Sequence, residues 1–352
     1  MSTVSVMRPG VYSSYTIVGG YAGASGGAVG VIAASPTGEA MIARHFTRLN
    51  EAFAEYGSDA GASMMTALVK LLFLGRVCNV YCVSVGEEPA QGDYEAAYDL
   101  LDAIPEVTAL VCDADDLPIV QALGARLVES AEHARERMGY FGAPQDGEPD
   151  AAARAINCER VCLTLPAVTF EGGERQSAAY LAAACCAAVA TESDPAANLN
   201  LTAVAGEFGF PAAYSEPEIT VLLSAGVTVL ESAGGAAEMI RALTTKTSEN
   251  GAVDYTMREL STVRIIDDVV PSLRGMLKSR LHGAKNNAAT RDAIRTQVAC
   301  ELEKKCTAGV IEHFEPPVVY PKADEPTVCM VEVGFSVIYG MHRIELVAHI
   351  TV

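Results

Sequence analysis

The feature that most constrains the fold is the alternation of short, apolar, β-prone runs with segments of helical periodicity along residues 30–231. The predicted strands are Gly30–Ser35, Val77–Val85, Ala109–Cys112, Val161–Leu165 and Val227–Glu231. The predicted helices between them are Leu49–Tyr56, Ala62–Leu74, Tyr94–Ile104, Leu117–Met138 and Gln176–Ala190. Because parallel strands need crossover connections and are buried on both faces, this order predicts an α/β fold with a partly parallel sheet.

The pattern changes after Gly234–Asn250, which is predicted to be a loop or an irregular hairpin. Two long helices are expected at Ser261–Arg280 and Thr290–Cys306, the first opened by its N-terminal serine and kinked or divided at an internal proline. β-prone segments then occupy Val328–Tyr339 and His342–Val352, and the second alternates apolar and polar residues. The last third of the sequence is therefore predicted to have α+β character.

Both terminal regions have the pattern of strands without a nearby partner. Residues 11–18 are β-prone and follow the helix-breaking Pro9-Gly10. A strand whose backbone groups stay unpaired in its own domain is expected to join another sheet. The glycines that follow the first strand predict a flexible hinge, and those assigned to it are Gly19, Gly20, Gly23, Gly26 and Gly27.

Composition limits the classes of function. With 352 residues, of which 50% are hydrophobic, the chain can bury a large core and is expected to form two domains. A net charge of −19, most of it contributed before residue 226, argues against nucleic acid or an anionic membrane as a partner. Neither a transmembrane segment nor a secretory signal is predicted. The ten cysteines show no metal-binding spacing and are expected to be reduced.

No motif predicts an active site. Residues 23–27 (GASGG) match a serine-hydrolase elbow, but a predicted strand follows them where that motif needs a helix. The same glycines lack the preceding strand and following helix of a dinucleotide loop. Asp113, Asp115 and Asp116 follow a predicted strand and could bind Mg²⁺, although capping of the next helix by Asp115 or Asp116 is the simpler explanation. We therefore expect neither a cofactor nor catalysis.

Several segments, taken together, resemble the tail sheath proteins of contractile phages and phage-like bacteriocins. The resemblance rests on Arg8-Pro9-Gly10-Val11-Tyr12, on residues 263–268 (VRIIDD), on Thr290-Arg291-Asp292 and on the β-rich segment Val331–Val352. It covers the termini and the last third, while residues 30–225 match only as the variable insertion of such proteins. The order and spacing of these segments carry the resemblance, since none of them is chemically unique.

The resemblance implies a domain organisation and a mode of assembly. It implies an N-terminal arm with hinge at 1–29, an outer inserted α/β domain at 30–225, an inner core domain at 226–340 and a C-terminal β arm at 341–352. The arms would add strands to sheets of neighbouring subunits. The side chains in the exchanged strands would be Val11, Tyr12, Tyr15, Ile17, Ile344, Leu346, Ala348 and Ile350, and those in the receiving strand Val331, Val333 and Phe335.

The resemblance also implies partners. They would be further copies of the chain in a helical or stacked-ring sheath of six-fold symmetry, the tail tube, and baseplate and terminator proteins. The particle would be a virion or phage-like tail made in a bacterial cytoplasm. A basic stretch is the candidate contact with the tube or with an acidic sheath face, although a solvated helix surface explains it equally well, and its members are Arg274, Lys278, Arg280, Lys285, Arg291 and Arg295.

Two alternatives stay open from the sequence. A filament or shell protein could exchange strands in the same way without contracting. An α/β enzyme of an undetected family could use Asp113–Asp116 at the carboxyl end of a strand.

Overall fold

A computed structural model of the chain describes residues 27–144, 147–169, 175–211 and 213–343. The predicted N-terminal arm, the hinge glycines before Gly27 and the predicted C-terminal strand from Ile344 onward lie outside these residues. The helices are α1 Leu49–Tyr56, α2 Met64–Leu74, α3 Gln91–Asp102, α4 Leu117–Glu132, α5 Pro149–Ile156, α6 Ala179–Thr191, α7 Glu216–Ser224, α8 Leu260–Leu281 and α9 Ala288–Thr307. None of these helices combines the length and the apolarity needed to cross a membrane.

A nine-stranded sheet organises most of the described chain, in the order β2-β3-β1-β4-β5-β6-β10-β11-β9. Its strands are β1 Ala28–Ala33, β2 Arg44–Phe46, β3 Val80–Ser84, β4 Val107–Cys112, β5 Met138–Gly142, β6 Val161–Leu165, β9 Thr202–Val204, β10 Val227–Ala233 and β11 Ala236–Met239. The six strands from β3 to β10 are parallel, while β2, β11 and β9 pair antiparallel at the two edges. The predicted α/β class with a partly parallel sheet is confirmed.

Helices cover both faces of this sheet, which explains why its strands are apolar on both sides. On one face, α1, α2, α6 and the start of α8 enclose a core that includes Val31, Leu68 and Cys186. On the other face, α3, α4, α5 and α7 enclose a second core that includes Ile32 and Leu123. Alternate residues of β1 therefore contribute to opposite cores.

Polar side chains determine where two of the helices begin. Ser63 accepts a hydrogen bond from the amide of Thr66 (3.3 Å) at the start of α2. Asn287 accepts one from the amide of Thr290 (2.9 Å) at the start of α9. Such caps satisfy amides that have no partner within the helix, so they fix where it begins.

The segment that follows α9 forms a two-stranded ribbon that packs against α8 and α9. In the ribbon, β14 (Ile311–Phe314) pairs with β17 (Phe335–Val337), and β15 (Val318–Pro321) pairs with β16 (Cys329–Glu332). A third core lies beneath it and includes Val269 of α8. Short antiparallel pairs complete the elements: β7 Val168–Thr169 with β8 Arg175–Gln176, and β12 Ser248–Glu249 with β13 Ala252–Val253.

Several sequence predictions differ from the structure. The predicted strand Val328–Tyr339 is two strands, β16 and β17, separated at Val333 and Gly334; the carbonyl of Gly334 accepts from the amide of Glu315, which lies between β14 and β15. The α4 helix ends at Glu132 instead of Met138, which begins a strand that was not predicted. Ser261 lies inside α8, whose N-cap is Glu259, and α8 continues unbroken through its proline.

The nine-stranded sheet also crosses the predicted domain boundary. β10 and β11 begin after residue 225, and they pair with β6 and β9, respectively, which precede it. The predicted division between 30–225 and 226–340 therefore falls inside one sheet.

Candidate assembly surfaces

One edge of the ribbon faces α9. The guanidinium Nη2 of Arg295 donates to the main-chain oxygen of Val319 in β15 (3.4 Å). Near the ribbon turn, the side-chain amide of Asn286 donates to the main-chain oxygens of Pro326 (2.8 Å) and Val328 (3.2 Å). The α8–α9 connection and α9 thus hold the β15 side of the ribbon within the subunit.

The hydrogen-bond register determines which backbone groups face the opposite edge. In an antiparallel ladder, bonded pairs alternate with pairs that make no bond to each other. The amide of Lys322 donates to the oxygen of Val328 (3.0 Å), so the next bonded pair is Tyr320 with Met330. The pair that follows, Val319 with Val331, is therefore a pair without mutual bonds, and its backbone groups point outward, as the bond from α9 to Val319 requires.

The N–H and C=O of Val331 therefore point away from β15, at the ribbon edge opposite α9. Among the described residues, neither group has a hydrogen-bond partner. The side chains of Val331, Val333 and Phe335 are half-buried against the third core. This edge, which we call the open edge, is defined by β16 and β17 and has both unpaired backbone and an apolar face.

The predicted basic stretch divides into two groups. The side chain of Arg274 is only 13% exposed and pairs with Glu136 (Nη2–Oε1, 2.7 Å), so it is engaged within the subunit. The guanidinium of Arg295 bonds to β15 and also pairs with Asp292 (2.5 Å). Arg291 donates to the side-chain oxygen of Asn286 (2.9 Å).

Lys278, Arg280 and Lys285 form the second group. They lie in residues 278–289, where every residue is exposed, and they make no ion pair with any residue that the structure describes. This segment, which we call the basic connection, joins the end of α8 to the start of α9.

Of the glycines predicted to form a hinge, Gly27 lies within the described residues. A Cβ added to it would lie 2.0 Å from Oγ1 of Thr108, well inside van der Waals contact. Close packing beside β4 therefore accounts for glycine at this position, whether or not the preceding glycines act as a hinge.

The carboxylate of Asp113 has a structural role at the carboxyl end of β4. Its two oxygens accept hydrogen bonds from the amide of Ala34 (2.7 Å) and the hydroxyl of Tyr94 (3.0 Å). Asp116 is the N-cap of α4, but its side chain makes no capping bond. Across the described ranges, no group of three or more His, Cys, Asp or Glu side chains is arranged to hold a metal ion.

Burial gives Asp113 a measurable pH dependence. Desolvation raises its pKa to about 6, against hydrogen bonds from Ala34 and Tyr94 that lower it. Because the folded-state pKa exceeds the unfolded one, stabilisation present below about pH 4 is lost as the pH rises through about 6. We expect wild type to lose on the order of 3 kcal/mol more stability than Asp113→Asn between pH 4 and pH 7 in urea unfolding.

Asparagine is the matched replacement, since it can accept from Ala34 and donate to the Tyr94 oxygen. Parallel stability–pH curves for the two proteins would contradict this assignment.

Sequence reasoning missed the contacts that fix the ribbon. Asn198 donates to the main-chain oxygen of Met341 (2.7 Å) and holds the segment that follows β17. Ile338, Tyr339 and Met341 in that segment are exposed. The contact spans 143 positions, so no local sequence pattern could indicate it.

Comparisons with known proteins agree on one family. A family model described as phage tail sheath protein central domain matches residues 90–245, and one described as phage tail sheath C-terminal domain matches residues 252–351. The tail sheath protein of Bacillus phage SP01 is 27% identical over 248 residues, which are 66% of this chain and 42% of that protein. The match therefore spans less than half of the length of this relative.

Solved structures show the same fold. The chain aligns with one in the anti-feeding prophage baseplate at a TM-score of 0.74 and 14% identity, covering 99% of this chain and 100% of that one. The contracted sheath of an extracellular contractile injection system (PVC) gives 0.71 and 11%, covering 99% of both chains. A sheath tail protein from Desulfitobacterium hafniense gives 0.68 and 11%, covering 94% and 100%.

Proposed function

We propose, since the chain belongs to the phage tail sheath family, that it is a structural subunit of a contractile tail sheath. The observation that carries the assembly mode is the open edge: α9 engages the β15 side of the ribbon, while the backbone of Val331 on the β16 side has no partner among the described residues. An unpaired edge is a template for a further strand. Sheath subunits would therefore be joined by main-chain hydrogen bonds at this edge.

The donated strands are proposed to be Val11–Val18 and Ile344–Val352, from neighbouring copies. The predicted hinge would let the N-terminal arm change direction without breaking its link to the neighbouring subunit; its glycines are Gly19, Gly20, Gly23, Gly26 and Gly27. The relatives named for contracted sheaths suggest contraction of the lattice as the working step. No nucleotide is required, because the energy would be stored in the extended lattice.

We propose a modified domain division for the subunit. The outer domain would comprise the nine-stranded sheet and its helices, so it extends beyond residue 225 to Met239, the end of β11. The inner domain would comprise α8, α9 and the ribbon, with arms at 1–29 and 341–352.

The basic connection is the proposed contact with the tail tube. Lys278, Arg280 and Lys285 are exposed, whereas Arg274 is engaged in an ion pair within the subunit and is not part of the proposed contact. Rings of six subunits, a baseplate and a terminator protein complete the proposed particle, a virion or phage-like tail made in a bacterial cytoplasm. Each charged contact is weak by itself, and repetition along the tube would make the sum effective.

Val331→Pro tests the open edge. Proline removes an outward N–H without removing a bond of the β15–β16 ladder, and edge strands tolerate it. We expect a folded protein whose critical concentration for assembly rises by about fivefold, since one lost hydrogen bond costs about 1 kcal/mol at every contact. Sedimentation of the assembled fraction measures this.

Val331→Thr is the matched control, because it keeps the N–H and the branched shape, and it should assemble like wild type. Normal assembly of the folded proline variant would contradict strand addition at β16.

A further inference from the structure

Four charged side chains form a buried cluster between α8 and the nine-stranded sheet. Arg160 pairs with Asp267, and Arg274 pairs with Glu136 (Nη2–Oε1, 2.7 Å). The exposed fractions of these side chains are 1%, 8%, 13% and 6%, respectively. Glu136 and Arg274 also act electrostatically on the Asp267 carboxyl, so the two pairs form one unit of zero net charge, which we call the charge cluster.

The charge cluster lies where the sheet meets the helix. Glu136 and Arg160 come just before β5 and β6, at the amino ends of two central strands. Asp267 and Arg274 are seven residues apart on α8 and share one helix face. One turn before them, Arg264 donates to the main-chain oxygen of Glu192 beyond the end of α6 (2.6 Å). Arg264, Asp267 and Arg274 thus place three charged contacts on α8 where it meets the sheet and α6.

The α8 helix belongs to two cores. Val263 and Ile266 contribute to the first core, beneath the sheet. Ile265, Val269 and Leu273 contribute to the third core, beneath the ribbon. The position of α8 on the sheet therefore sets the position of α9 and the ribbon.

Apolar packing and ion pairs constrain such a helix differently. Apolar burial is non-directional, so by itself it specifies the position of a helix less strictly than paired charges do. A buried ion pair adds little net stability over an apolar pair, but a displaced one leaves a costly unpaired charge. Two such pairs, separated by two helical turns, restrict both the rotation and the translation of α8.

We propose that Glu136, Arg160, Asp267 and Arg274 are positioning residues that fix the angle between the sheet and the ribbon. This role rests on the proposed function: in a sheath, the angle would place the open edge and the donated strands in register around the tube. The angle itself is a property of the single subunit.

The native cysteines allow the angle to be measured directly. Cys78, just before β3, and Cys300, on α9, are exposed. Spin labels on these two residues report the distance between the sheet and α9 by double electron–electron resonance. Cys306→Ser and Cys329→Ser remove the two half-buried thiols, and dilution with unlabelled protein removes distances between subunits. The buried thiols have raised pKa values and should not react.

We expect one narrow distance in the labelled parent protein. The Arg274→Glu variant should give a broad or shifted distribution of distances. Adding Glu136→Arg to it should restore the narrow distance. Should the reversals fail to fold, Glu136→Gln removes the charge at nearly constant shape and should also broaden the distribution. As the control for general destabilisation, Leu123→Ala in the second core should leave the distance unchanged.

An unchanged narrow distance in folded Arg274→Glu or Glu136→Gln would overturn the proposal. Equal broadening in Leu123→Ala would also overturn it, since the cluster would then have no special role. These outcomes do not depend on polymerisation. A narrow distance that is lost and restored as expected in a protein that never forms tubes would uphold the positioning role and refute the proposed function.

Discussion

Asp267→Ala is expected to lower the free energy of unfolding by about 3–5 kcal/mol, because it leaves Arg160 buried without a counterion. The Arg160 side chain is 1% exposed at the amino end of β6, so it cannot reach water without moving the strand or α8. Burial raises the pKa of Asp267 and the neighbouring Arg160 opposes that rise, so the arginine replaces part of the solvation that the carboxylate loses on folding. Urea unfolding at constant pH measures the loss.

The double variant Arg160→Met with Asp267→Leu is the matched control. It removes both charges and fills the space with apolar atoms, so we expect it to unfold within about 1–2 kcal/mol of wild type. A loss in Asp267→Ala below about 1 kcal/mol would contradict the buried pair, since exposed pairs contribute no more than that.

Deleting Leu346–Val352 is expected to abolish assembly while leaving a folded, soluble subunit. This segment is proposed to be donated to a neighbouring copy, so its loss removes main-chain bonds between subunits and not within one. The assembled fraction in a sedimentation assay should fall to background, and circular dichroism should stay close to that of the full chain.

A pair of point variants separates strand addition from other effects of the deletion. Ala348→Pro removes an N–H from the segment, whereas Ala348→Thr keeps it and suits a strand. The proline variant should assemble poorly and the threonine variant normally. Normal assembly of the deletion variant would refute strand donation by this segment.

The parallel part of the fold was predictable because its strands are continuous apolar runs. Strands such as Val161–Leu165 are buried on both faces, so hydrophobicity alone identifies them. β5 was missed because it contains Gly139 and Gly142, and glycine is a poor strand residue. Both glycines are closely packed: a Cβ would lie 2.6 Å from the Leu127 side chain at Gly139 and 2.5 Å from the Ala179 backbone nitrogen at Gly142, where the backbone leaves no room for one.

The surfaces were predictable only in part. The β-prone sequence predicted one strand at Val328–Tyr339, but the interruption at Gly334 goes with a bond to Glu315, in the segment between β14 and β15. The pairing of Arg274 with Glu136 spans 138 positions, so its charge could not be distinguished from that of the exposed Lys278. Local patterns predict elements, whereas the partners of charged side chains follow from the tertiary fold.

The most direct test of strand exchange is a cryo-electron microscopy map of the polymer formed by the purified full-length chain. We expect tubes in which a strand from a neighbouring subunit lies beside β16 and bonds to the backbone of Val331. A chain that stays monomeric at every concentration, or tubes in which this edge is unpaired, would contradict the proposal.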